Sequence, residues 1–411
     1  VHNSALMAEN HDTEVCIVGA GPAGAVCSLY LTRFKIPHIL IDKSNFPRDK
    51  VCGESFDGRV SRILSDLDCL QGLYDQHIVK ENRHWAFSMW ETNMSFTIQD
   101  EHLPRLNAPR HLFDHYIFQK AIASSYVKTI LGESVDEMKD HPNGITISSK
   151  KHTINARLGV LAHGAQSNLM RYTSGEKGKM VFSRCYHKGI ENRDGLDFET
   201  FYFTKPLHGC LILCAQNDGI CNVEIGVLAE EFKKGSHKME GLLDQILREL
   251  PVLKQRFANA QALEKPKGTF MPAYNNVQDC VKPNLLIAGA NAFSVNPITG
   301  LGVGNAMTMG KLAALQIKAC YEKEDFSLAQ LSNYQNEARK SLASVVSMNR
   351  SMNFVQTKLT LLAPLLKLML GNKYMQRLLE NPYYVRDRYN PKMYWNALFD
   401  KPVKQEPLSN G

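Results

Sequence analysis

Six consecutive residues, Gly19-Ala20-Gly21-Pro22-Ala23-Gly24, have the glycine spacing of a dinucleotide-binding turn. The first glycine permits the tight turn, the second lets a pyrophosphate approach the backbone, and the third lets a helix pack closely on the preceding strand. The amides opening such a helix are short of partners and face an anion with the positive end of the helix dipole. A carboxylate, Asp42, follows about 20 residues later, where it can accept hydrogen bonds from an adenosine ribose. The chemistry this pattern supports is the holding of a diphosphate-linked cofactor.

Such a turn works only between particular elements. Glu14–Gly19 is a β-branched and apolar run, Ala23–Phe34 an apolar helical stretch, and His38–Asp42 a second apolar run. The spacing predicts strand, turn, helix and strand, a βαβ unit whose two strands pair in parallel. Farther along, Arg83–Ile98 reads as strands and Arg110–Ser124 as a helix. Glu199–Phe203, Cys210–Ala215 and Ile220–Leu228 read as an inserted sheet, with Asn217-Asp218-Gly219 as a hairpin turn. Helical patterns are expected at Met239–Glu249 and from Val303 to Tyr321, with a strand at Asn284–Ala288 and helices dominating beyond.

The 411 residues are 44% hydrophobic and 22% charged, the balance of a folded globular chain long enough for two or three packed domains. A net charge of +7 suits an anionic ligand, and no basic run with interleaved aromatics points to nucleic acid. The ten cysteines lack metal-ligand spacing, so no metal is expected; read as reduced, they suggest a cytoplasmic protein. The N-terminus lacks the basic-then-apolar pattern of a secretory signal. Leu359–Leu370 is too short to span a bilayer and contains Pro364 and Lys367, which leaves peripheral membrane contact open and no transmembrane segment expected.

Three further segments carry a family resemblance. Phe46-Pro47-Arg48-Asp49-Lys50-Val51-Cys52-Gly53-Glu54 resembles the motif after the second strand of geranylgeranyl-reductase-like flavoproteins and related FAD-dependent monooxygenases and halogenases. Arg110, followed by Phe113 and Asp114, resembles that superfamily's arginine helix, and Ser294 to Gly302 resembles its flavin-contacting loop. The resemblance implies the p-hydroxybenzoate-hydroxylase-type α/β fold. That is a discontinuous Rossmann-type FAD-binding domain (residues 12–83, 105–183 and 270–340), an inserted mixed β-sheet substrate domain (84–104 and 184–269) and a helical C-terminal region (341–399). Residues 1–11 and 400–411 are expected as loose tails.

On this reading Gly19, Gly21, Pro22, Ala23, Gly24, Asp42, Lys43, Arg48, Cys52, Arg110, Gly289, Pro297, Gly300, Leu301 and Gly302 hold FAD, with NADPH or NADH as a possible electron donor. Cys52 sits where the reductases carry a cysteine near the flavin and is the candidate proton shuttle, its pKa expected to be lowered by Arg48 and Lys50. Trp85, Phe87, Trp90 and Ile212 are candidate substrate-wall residues. Two family aspartates are replaced: Gly289-Ala290-Asn291-Ala292 stands where a Gly-Asp-Ala-Ala run is usual, and His163-Gly164 where Asp-Gly is usual. Losing one such hydrogen bond costs about 0.5–1.5 kcal/mol, so FAD binding is expected to persist. Glu224 stands in the Asn222-Val223-Glu224 run where glycine is usual.

The resemblance implies an FAD-dependent oxidoreductase acting on a hydrophobic small molecule or an acyl-carrier-tethered substrate, by double-bond reduction or by oxygen activation and hydroxylation. A separate flavin reductase is a possible partner. Two alternatives are kept. A flavin-dependent halogenase would need a lysine where Ser88 aligns and a Trp-x-Trp-x-Ile-Pro motif that is missing; a non-catalytic partner protein of the same fold is the other.

Overall fold

A computed structural model describes residues 8–89, 94–99, 105–164, 169, 180–191, 195–235, 238–271, 276–292 and 302–347. The strand β1 (Glu9–Val18) ends in four buried apolar residues, Val15 to Val18, and leads through the glycine turn into the helix α1 (Pro22–Arg33). Proline at the first position of α1 has its fixed φ suited to the helix and gives up an amide that would be unpaired there. The strand β2 (His38–Asp42) then pairs in parallel with β1, Val15 opposite His38 and Val18 opposite Ile41. The expected βαβ unit is present. Glu9 to His11, expected within a loose tail, are instead strand, because they pair with His152 to Ile154.

The first sheet runs in the order Val281–Lys282, Leu285–Ile287, His152–Leu161, β1, β2, Val127–Leu131. Its five members from Leu285–Ile287 to Val127–Leu131 are parallel, and an antiparallel meander, Val135–His141 and Gly144–Ser149, is attached to His152–Leu161. The helices Arg110–Ile122 and Val303–Lys323 pack on α1, and Leu328–Ser341 packs on Val303–Lys323.

The second sheet is mixed. Its order is Gln261–Ala262, Met180–Lys188, Ile220–Leu228, Gly209–Ala215, Phe198–Phe203, His84–Met89, Met94–Gln99, with Lys267–Met271 also beside Met180–Lys188. All its pairs are antiparallel except Phe198–Phe203 with His84–Met89. Asp218 (φ 59°) and Gly219 (φ 68°) occupy the two left-handed positions of the hairpin turn at Asn217-Asp218-Gly219. Met180–Lys188 and Lys267–Met271 belong wholly to this sheet. Residues 180–183 and 270–271 therefore leave the FAD-binding segments drawn from the sequence, because their ladder partners are all in the second sheet.

Side chains alternate across the second sheet. One face sends Val181, Leu211, Val223, Ile225 and Val227 against Leu242, Ile246 and Leu253 of the helices Met239–Glu249 and Pro251–Arg256. The other face turns toward the first sheet. A small third sheet, Ser55–Phe56, Arg105–Asn107 and Lys80–Asn82, joins the two; Asn107 Nδ2 donates to the carbonyls of Asp197 and Ala215.

Of the C-terminal region, helix is described to residue 347, and Leu359–Leu370 lies outside the described residues. Among the described residues no helix is long and apolar enough to cross a membrane. All ten cysteines are free thiols.

Candidate cofactor and active site

A cavity of about 300 Å³ lies between the glycine turn and the inward face of the second sheet. Gly19, Gly21, Pro22 and Ala23 form one end; Cys52, Gly53, Phe182, Glu224 and Thr269 line it elsewhere. Gly19 adopts φ +106°, and a Cβ there would come within 2.5 Å of the Ala162 carbonyl oxygen, so glycine is required. Gly21 caps α1 with no side-chain hydrogen bond, which leaves the first amides of the helix for a ligand. Asp42 accepts from the backbone amides of Ala20 (2.7 Å) and Ser44 (2.8 Å), so its carboxylate is fixed on the cavity wall beside Lys43.

Arg110 opens its helix buried, donating through Nε and Nη2 to both carboxylate oxygens of Asp114 at 2.7 and 2.8 Å. Arg48 Nη2 reaches the same carboxylate at 3.2 Å. Burial works against the charge of Arg110, but the adjacent Asp114 carboxylate outweighs it and holds the guanidinium firmly protonated.

Cys52 borders the cavity and differs from its expected chemistry. Burial pushes its thiol up; Arg110, rather than Arg48 or Lys50, is the cation that opposes this, and Glu224 adds to the rise. Arg48 is engaged by Asp114, while burial and Arg110 lower Lys50 itself to about 8. The thiol is therefore protonated at neutral pH.

Two buried carboxyls lie beside Cys52. Glu54, at φ 60°, accepts from the Arg110 amide (2.8 Å), Tyr186 Oη (2.7 Å) and Asn222 Nδ2 (2.9 Å), yet burial outweighs these donors and lifts it to about 7. Glu224 is lifted to about 8 by burial and by the charge of Glu54, with Arg184 opposing. Arg184 itself is buried among Asp49, Glu54, Tyr186 and Glu264. Sequence reasoning saw Glu224 only as a departure from glycine. The available signal was the alternation Asn222, Glu224 within an otherwise apolar strand, which puts both polar groups on one face.

The remaining expected residues divide four ways. Gly289 and Gly302 line the cavity with His163 and Ala290; burial lowers His163 to about 4, leaving a neutral imidazole where an aspartate was usual. Gly24 packs α1 on the Gly19 carbonyl and lies behind the cavity wall. Trp85, Phe87 and Ile212 do not line the cavity; they pack with Phe198, Tyr202, Cys210 and Cys214, and Arg105 covers the Trp85 ring. The register nevertheless puts them on the same face as Glu224, since Ile212 pairs with Glu224 and the Phe87 partner Thr200 pairs with Ile212. Ser88, one residue on from Phe87, is on the opposite face. Trp90, Pro297, Gly300, Leu301 and the side chain of Asn291 lie outside the described residues.

The residues present fit an FAD. Open helix-terminal amides at a glycine cradle suit its pyrophosphate, a fixed carboxylate suits its ribose, and the cavity continues toward Cys52 and Gly302. An α/β molecule with a parallel sheet carrying this turn and a separate mixed sheet over it is a Rossmann-type flavoprotein.

The comparisons agree. The family described as "FAD binding domain" matches residues 12–349, and the chain belongs to it. The protein is an FAD-dependent oxidoreductase. It is similar to digeranylgeranylglycerophospholipid reductase 2 of Methanosphaera stadtmanae, 26% identical over 337 residues that cover 79% of this chain and 82% of that one. It is also similar to the 1H-pyrrole-2-carbonyl-peptidyl-carrier-protein brominase of Pseudoalteromonas luteoviolacea, 25% identical over 342 residues covering 78% and 80% of the two chains. In fold it matches a geranylgeranyl bacteriochlorophyll reductase-like protein of Thermoplasma acidophilum, with a TM-score of 0.76 and 16% identity over 95% of this chain and 98% of that one.

Proposed function

We propose that this oxidoreductase reduces a carbon–carbon double bond in a long apolar substrate, of the polyprenyl lipid class, with a nicotinamide dinucleotide refilling the flavin. The observation that carries the reading is the position of Cys52, a protonated thiol on the cavity that also contains the glycine turn. FAD, when bound, supplies a two-electron carrier able to deliver hydride to carbon. The chain's own residues do the rest. Gly21 and the first turn of α1 hold the pyrophosphate, Asp42 the ribose, and the Arg110–Asp114 pair fixes the wall next to Cys52.

Cys52 gives its proton to the carbon next to the one that accepts hydride, a step that needs the thiol rather than the thiolate. Phe182, Val51 and Leu169 are apolar members of the cavity wall, which suits a substrate without charge along its length. The lipid named for the Methanosphaera relative has this character. Halogenation lacks support from Ser88, which takes the place of a lysine and points away from the face of Glu224.

The test uses FAD-loaded protein and NADPH under nitrogen with vesicles of digeranylgeranylglycerophospholipid. Mass spectrometry is expected to find two hydrogens added per double bond reduced, with slower addition in Cys52→Ala. Lipid of unchanged mass with wild-type protein would refute the proposal, and substrate gaining oxygen only when air is admitted would replace it with hydroxylation.

A further inference from the structure

The sheet face over the cavity carries one carboxyl group that the reading above does not use. Glu224 is in the strand Ile220–Leu228, opposite Arg184 on one side and Ile212 on the other, buried and lining the cavity. Its neighbour Glu54 is tied down by the Arg110 amide, Tyr186 and Asn222. Among the described residues, no hydrogen bond or ion pair engages the carboxylate of Glu224.

Its oxygen lies against the chain next to Cys52. A Cβ at residue 53 would come within 2.6 Å of Glu224 Oε2, so glycine at that position is what admits the carboxyl group. Asn222, two residues before Glu224 on the same face, donates to the Cys52 carbonyl at 2.8 Å and holds this segment to the strand. The charged and titratable groups facing the pair are Glu54, Arg184 and Cys210 toward Glu224, and Arg110, Lys50 and Glu54 toward Cys52.

We propose that Glu224 reloads Cys52: after the thiol has given its proton to substrate, the Glu224 carboxyl group returns one to the sulfur and is itself reprotonated by a solvent proton relayed through water in the cavity. The inference rests on the double-bond reduction proposed above. In each cycle the π bond of the substrate breaks and two C–H bonds form, one from hydride of the reduced flavin and one from the S–H proton of Cys52. The thiolate left behind then takes the proton of the Glu224 O–H bond, and the resulting carboxylate is reprotonated by a hydronium or buffer proton relayed through water in the cavity, so each cycle consumes one solvent proton. The transfer runs downhill, because burial raises the thiol from its already higher reference value while Glu224 titrates near 8.

One test reads the coupling without turnover. Nine of the ten cysteines are buried and Cys52 is the partly open one, so iodoacetamide followed by peptide mass spectrometry reports Cys52 selectively. At about pH 9 the Glu224 carboxylate repels thiolate formation. Glu224→Gln, which keeps the side-chain shape, is expected to alkylate about tenfold faster there, the equivalent of one pKa unit. Equal alkylation profiles in the two proteins would overturn the proposal.

A second test follows steady-state lipid reduction against pH. Wild-type rates are expected to fall as pH rises through about 8, with Glu224→Gln slow and without that inflection. A rate lost in Lys50→Met but kept in Glu224→Gln would overturn the assignment in favour of Lys50. Wild-type protein that shows the alkylation difference yet leaves the lipid unreduced would overturn the reductase reading, and with it the relay, while the Glu224–Cys52 coupling stood.

Discussion

Two glycines of the same turn separate folding from cofactor binding, and substituting each with alanine should make the separation measurable. At Gly24 a Cβ would stand 1.7 Å from the Gly19 carbonyl oxygen and 2.9 Å from its carbon, both backbone atoms that cannot swing aside. The helix must move off the strand, an overpacking cost of roughly 1–3 kcal/mol. At about 2–4 °C per kcal/mol, the FAD-free protein should melt up to ~12 °C lower.

Gly21 has φ −69° and ψ −174°, a conformation open to alanine, and its Cβ would meet only the flexible end of Arg48, 3.1 Å from Nη2. Its FAD-free stability should change by less than ~1 kcal/mol. The pyrophosphate would instead lose its approach to the helix amides, and a charge-assisted hydrogen bond of about 1.5–3 kcal/mol corresponds to ~10- to 150-fold in Kd. Thermal melts of the FAD-free proteins and fluorescence titration with FAD give both numbers. Gly21→Ala melting as low as Gly24→Ala, or binding FAD as tightly as wild type, would show that the two glycines do not divide packing from pyrophosphate binding in this way.

Other outcomes follow from the buried charges. Arg110→Ala strands the fully buried Asp114 carboxylate with Arg48 alone and is expected to cost about 3–5 kcal/mol, read by urea unfolding; a loss below 1 kcal/mol would contradict the pairing. Glu224 is raised from 4.5 to about 8 on folding, so it stays protonated in the native state while the unfolded chain releases its proton. Its contribution is complete below about pH 4.5 and is lost as pH rises through 8, a slope approaching ~1.4 kcal/mol per pH unit. Melting temperatures of wild type should therefore fall more steeply over that window than those of Glu224→Gln, and parallel curves would show that Glu224 ionises normally.

Local patterns carried much of the fold. Val15 to Val18, the glycine turn, His38–Asp42 and the Asp218-Gly219 pair each dictate their backbone through nearest neighbours, and the structure has the strand, helix, strand and hairpin they predict. The meander from Val135 to Ser149 is not legible in the sequence, because polar residues such as Asp136, Glu137 and Lys139 break up the apolar alternation and pairing decides the strands. Burial is not legible there either. Nothing local distinguishes Trp85 as a core residue covered by Arg105, or shows that Arg110 rather than Lys50 governs Cys52, since both depend on residues brought in from distant segments.

One anaerobic absorbance titration reads both FAD uptake and the passage of electrons from the flavin to substrate at Cys52. The purified protein should take up FAD, lose the oxidised-flavin band on addition of NADPH, and regain it when digeranylgeranylglycerophospholipid vesicles are added under nitrogen. A protein that takes up no FAD, or whose reduced flavin stays colourless with the lipid and recovers only in air, would not be an FAD-dependent double-bond reductase.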